Sequence, residues 1–226
     1  MLRLFVAGIS ISLLSIVTAS VVQAEEFRPP NLSEFLMEQN HEIALARSAA
    51  PDQVSMDATI MVLGANGYET VIEGSNTFVC LVIRSWGNPT YDHAYAYVPG
   101  LIVPECLDAN AVRTILPIQL FRAELGTKMT PPAEIEAAVK EGFRSGRFQR
   151  TQTVSFSYML SAAMTFGNGQ QGPAHIMIYL PDNYRNDTVG GFSYKERFII
   201  VEGGPDQPYV AANIYLLDKA IEPTFD

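Results

Sequence analysis

The sequence predicts an α+β domain, with an antiparallel sheet built on an N-terminal three-stranded meander and helices packed on one face. Those helices are an N-terminal one and a central pair. Three observations lead there. Strand-like apolar runs occupy both flanks of the chain, helix-spaced runs lie between them, and Gly, Asn and Pro clusters separate the two kinds. No internal repeat or low-complexity linker divides residues 25–226, which read as one domain.

Before that domain, "MLRLFVAGISISLLSIVTASVVQAEE" places Arg3 ahead of an apolar run from Leu4 to Val22. Val22-Gln23-Ala24 then leads into an acidic pair, which is the layout of a cleavable export signal over residues 1–24. A retained anchor helix is the competing reading, but five Ser and Thr residues thin the run's hydrophobicity. The mature chain has no further membrane-length apolar stretch, so the expectation is an exported protein, periplasmic or secreted.

The next segment, "RPPNLSEFLMEQNHEIALARSAAP", starts with Asn31 and Glu34 spaced as a capping box. Leu32, Phe35, Leu36 and Ile43 are spaced to share a face, and Pro51 stops the predicted helix. Three strands follow, 57–63, 68–73 and 78–84, separated by Gly64-Ala65-Asn66-Gly67 and Gly74-Ser75-Asn76-Thr77. Both separators tolerate the positive φ of tight turns, hence the meander. The third strand is apolar on both faces, as a doubly covered strand would be.

The middle of the chain reads as two helices. Pro117 opens "IQLFRAEL" and Gly126 is placed to end it; Thr130 is placed to cap "PPAEIEAAVKEGFRSG", which Gly146 ends. The final third returns to strands: "TVSFSYML", "AHIMIYLP", "RFIIVEG" and "YVAANIYLL".

Charge narrows the function. A formal charge of −9 argues against nucleic acid or anionic lipid as a partner. The one locally basic stretch, Arg113 to Arg150, is interleaved with Glu124, Glu134, Glu136 and Glu141, as on a solvated helical surface.

Few motifs carry chemistry. "GNGQQG" (167–172) matches a dinucleotide fingerprint in letters only, because Pro173 and a strand follow where a helix N-terminus is needed. In "AHIMIYLP", Ile176, Ile178 and Leu180 form the expected core face. His175, Met177 and Tyr179 form the other, either a half-buried surface or a pocket wall, and His175 is the candidate general base. Tyr91, His93, Tyr95 and Tyr97 alternate along "TYDHAYAYVPG", either as a stacking surface for a flat ligand or, preferentially, as a structural ladder. Three isolated histidines give no metal spacing, and no metal or cofactor is expected. The oxygen-rich loop 181–191 lacks a calcium signature.

Cys80 lies inside the third strand between Val79 and Leu81, where burial would make it inert as a nucleophile. Export makes pairing with Cys106 the expectation, closing a loop that contains the tyrosine row.

The run "EIALARSAAPDQVSMDATIMVLGANGYETVIEGSNTFVCLVIRSW" (42–86) resembles a group of uncharacterised exported bacterial proteins. "PECLD" (104–108) and "GPAHIMIYLP" (172–181) resemble the same group's second cysteine and its Pro-x-His strand. The resemblance implies a bacterial exported protein and assigns no catalytic residue. Residues and resemblance together suggest a non-enzymatic cell-envelope domain, binding a small molecule or an envelope component or serving structurally. The alternative is a hydrolase using His175 as general base.

Overall fold

The computed structural model describes residues 30–87, 97–166, 169–181, 200–202, 210–215 and 221–225. The expected export signal, Tyr91, His93, Tyr95 and most of the 181–191 loop lie outside them. The strands are β1 Thr59–Gly64, β2 Gly67–Ile72, β3 Val79–Ile83, β4 Leu101–Leu107, β5 Ser155–Met159, β6 Thr165–Phe166, β7 His175–Leu180, β8 Ile200–Glu202 and β9 Val210–Tyr215. The helices are α1 Gln39–Arg47, α2 Asp52–Ser55, α3 Ala109–Thr114, α4 Leu116–Thr127 and α5 Pro132–Arg144. The fold is α+β, and the sheet runs β2-β1-β3-β4-β5-β7-β9-β8, with β6 paired to β4.

The three N-terminal strands exist, but they are not a simple meander. β1 and β2 form the expected hairpin, whereas β3 crosses to the far side of β1 and pairs with it in parallel through Thr59–Val79 and Ile60–Cys80. The crossing runs under the start of β1. A Cβ on Gly74 would lie 2.3 Å from the Thr59 nitrogen, so only glycine passes there. Ser75 and Asn76 donate their N–H groups to the Asp57 carbonyl, and the Asn76 side chain donates to the Val54 carbonyl. These bonds seat the connection at the end of β1, so β3 emerges beyond it.

Helices cover both faces, not one. Alternation along β3 and β4 sends Leu81, Ile83, Val103 and Leu107 to one side, where they pack with Ala111, Ile115 and Leu116 of the α3–α4 segment. Cys80, Val82 and Cys106 face the other side and pack with Leu45 and Ala46 of α1 and with Ala49 and Ala50 beyond it. β3 is thus doubly covered, as its apolar sequence predicts.

The Asn31–Glu34 box forms, but it starts only a 3-10 turn at Leu32–Glu34. The chain breaks there because the Phe35 carbonyl accepts from Arg84, and α1 restarts with the Glu38 carboxylate accepting from His41 N–H. Gly126 lies inside the last turn of α4, not beyond it. A Cβ there would meet the buried Trp86 ring at 2.5 Å, so this glycine permits close packing. Pro131, not Thr130, is the N-cap of α5, and the Thr130 carbonyl accepts from Tyr97 instead. Gly146, with φ of 77°, ends α5 as expected.

Cys80 and Cys106 are bonded. They are register partners on β3 and β4 with Cα atoms 3.9 Å apart, and both are fully buried. The bond joins two neighbouring strands at the sheet's centre and closes the loop between them. Replacing both cysteines by alanine should cost about 3 kcal/mol, the loop-closure entropy returned to the unfolded chain. Urea denaturation of the double variant measures this, and a loss below about 1 kcal/mol would contradict it.

Candidate ligand-binding cleft

His175 opens β7, between Met159 on β5 and Tyr215 on β9. The expected faces are exchanged at this end of the sheet. His175, Met177 and Tyr179 are buried, and Met177 and Tyr179 belong to the main core, while Ile176 and Ile178 are half-buried. The reason is Glu105. It lies on the face of the sheet covered by α3 and α4, and Tyr179 donates its hydroxyl to it, so this polar face is drawn inward. His175 Nδ1 donates to the Pro173 carbonyl, and burial holds its pKa below the ordinary histidine value. A buried imidazole held by a backbone carbonyl two residues away has the geometry of a structural group, not of a general base open to substrate.

Tyr97 is likewise not part of an open stacking surface. It is 6% exposed, packed on Phe35 and Trp86, and its φ of 57° breaks the strand alternation.

Two buried carboxylates escaped the sequence reading. Glu105 accepts from Tyr179 and from Gln119 of α4, and burial raises its pKa. Glu42 of α1 pairs with Arg84 at 2.9 Å with both side chains essentially inaccessible, and burial raises its pKa too, against the pull of Arg84. Both are sealed in the interior and act on the fold.

Among the described residues, a space open to a ligand lies elsewhere. A cleft of about 520 Å³ runs between α1, the α2 turn, the end of β2 and the C-terminal segment 221–225. Asn40, Ile43, Ala44 and Arg47 form its α1 wall at the i, i+3, i+4, i+7 spacing of one helical face. The facing walls come from Asp52, Met56 and Ile72, and from Ile221, Glu222 and Thr224. The C-terminal wall is fixed to the body. Ile221 N–H donates to the Leu160 carbonyl, Ala162 N–H donates to Ile221, and Phe225 stacks on His41 at 4.7 Å. The Ser48 hydroxyl, at the cleft's edge, lies 2.6 Å from that of Ser161 and ties the end of α1 to the 160–162 stretch that holds Ile221. Met56 and Phe225 are more than half exposed beside the cleft, an apolar rim around a mixed interior.

Sequence patterning failed to find this site because its residues come from three distant segments. The only local trace is the second, non-core stripe of α1. Among the described residues no group of three or more His, Cys, Asp or Glu is placed to hold a metal. No known protein family matches the chain, and no curated protein or solved structure is significantly similar to it.

The buried groups set the pH response. Below about pH 6.5 the unfolded chain protonates His175 while the native state resists, so stability falls as pH drops through the lowered folded value. Above about pH 4.5 the unfolded chain releases a proton that Glu105 retains when folded, so stability falls as pH rises toward its raised value. His175→Gln should therefore flatten the acid-side loss, and Glu105→Gln the opposing one, each by at most about 1.4 kcal/mol per pH unit. Urea denaturation from pH 4.5 to 8 reads both slopes; unchanged slopes would reject these assignments.

Proposed function

We propose that the protein is an exported, non-enzymatic component of a bacterial cell envelope that binds a small ligand in the cleft between α1 and the C-terminal segment. One observation carries the reading: a cleft of about 520 Å³ with apolar, polar and charged walls, all held by hydrogen-bonded structure. Its volume falls within the range of small-molecule sites. The Cys80–Cys106 bond supports an oxidising compartment, where two cysteines persist as a pair. Among the described residues no helix is long and apolar enough to cross a membrane. The acidic chain favours small molecules or envelope components over nucleic acid. The resemblance of residues 42–86 to exported bacterial proteins is consistent with this placement.

A thermal-shift screen with cell-wall fragments, sugars, amino acids, peptides and lipids tests the proposal. A ligand that binds only the native state stabilises it by mass action, by about 2.7 kcal/mol at a hundredfold excess over Kd, and so raises the melting temperature. Asn40→Trp places a bulky ring in the cleft from an exposed position on α1. The expected outcome is a compound that raises the melting temperature of the parent protein but not of Asn40→Trp. A shift that survives Asn40→Trp, or none across the screen, would reject the cleft as the site.

A further inference from the structure

We infer that the cleft takes a small zwitterion, an amino acid or short peptide with free termini, whose carboxylate is held by Arg47; this rests on the binding role proposed above. Arg84, Lys128, Lys140 and Arg144 pair with carboxylates, and Arg147 and Arg150 lie over aromatic rings. Arg47 differs. Its Nε is buried and has no hydrogen-bond partner among the described residues, although Asp52 and Glu222 line the same cleft. No ion pair joins Arg47 to either of them within 4.0 Å. A cleft-lining guanidinium without a carboxylate partner leaves its terminal N–H groups for a ligand acceptor to satisfy.

The planar fork of Arg47 suits a carboxylate or a phosphate, both of which it binds through parallel N–H groups. The remaining charges choose between them. Asp52 and Glu222 make the cleft net negative, which opposes a doubly charged phosphate and favours a ligand that also carries an ammonium group. A zwitterion supplies one charge for Arg47 and the opposite charge for the two carboxylates. Ile43, Met56, Ile72 and Ile221 give its side chain an apolar wall. The volume, about 520 Å³, leaves room for more than a single amino acid.

Isothermal titration of the intact, disulfide-bonded protein tests this with three probes: alanyl-leucine, its C-terminal amide and its N-acetyl derivative. The parent protein should bind the free dipeptide, the amide at least tenfold more weakly, and the acetylated form more weakly than the free dipeptide. Arg47→Met, which keeps the aliphatic stem, should weaken dipeptide binding at least tenfold and stop distinguishing dipeptide from amide. Arg47→Lys, which keeps the charge but not the fork, should fall between them. Equal affinity for dipeptide and amide would overturn the inference without using any variant. So would unchanged dipeptide affinity in a folded Arg47→Met protein, or no binding of the dipeptide at all. If the dipeptide fails while a sugar or lipid still gives a shift that Asn40→Trp removes, the ligand class is wrong and the binding role stands. If neither binds, both fall.

Discussion

The fold depends on a pair of charges buried where its sheet comes apart. Past Ile60 and Cys80, β1 stays with β2 while β3 stays with β4, and the parallel ladder between them ends. A split inside a sheet leaves inward-facing N–H and C=O groups with no water to receive them. Glu42 and Arg84 occupy that split. One oxygen of Glu42 accepts from Leu63 N–H on β1, and the other pairs with Arg84. Arg84 donates to the Val82 carbonyl of β3 and to the Phe35 carbonyl, and the Tyr68 hydroxyl of β2 also donates to Val82. The pair thus stands in for the missing ladder. Burying two ions is expensive, and it is sustained here because each also satisfies backbone groups that would otherwise be unpaired.

That arrangement fixes α1, and α1 carries the cleft. Glu42 points inward with Leu45 and Ala46, so Asn40, Ile43 and Arg47 of the same helix turn to the cleft. Glu105 plays the matching part on the opposite face, where it accepts from Gln119 of α4 and from Tyr179 of β7. Each helical layer is therefore held to the sheet by one buried carboxylate as well as by apolar packing. Apolar contacts tolerate sliding, but a hydrogen-bonded carboxylate accepts one register. The disulfide, on the α1 side of the sheet, fixes β3 against β4.

Much of this was legible in the sequence. The β1–β2 hairpin announced itself through Asn66-Gly67, α5 through the Gly146 that ends it, and β5, β7, β8 and β9 through their strand-like runs. The disulfide followed from the cysteine count and the expectation of export. β4 was not legible. "LIVPECL" carries a proline and a glutamate, both of which argue against a central strand. The structure accommodates them because Pro104 falls between the stretches of β4 paired to β5 and β6, and Glu105 meets its partners from α4 and β7. The parallel β1–β3 pair was hidden for a different reason. Turn residues show that a chain reverses, not on which side of the hairpin it lands. The cleft was hidden because no single segment contains it, and the local motifs that drew the eye, His175 and Tyr97, are packed inside.

The central claim is that Glu42 and Arg84 are coupled and hold the split together. A double-mutant cycle in urea, using Arg84→Met, Glu42→Gln and the pair, measures it directly. Arg84→Met alone should cost about 3–5 kcal/mol, because it leaves a carboxylate buried without its partner. In the Glu42→Gln background the same change should cost clearly less, giving a coupling energy above about 1 kcal/mol. If the two losses simply add, or if Arg84→Met is tolerated within about 1 kcal/mol, the split is held by something other than this pair.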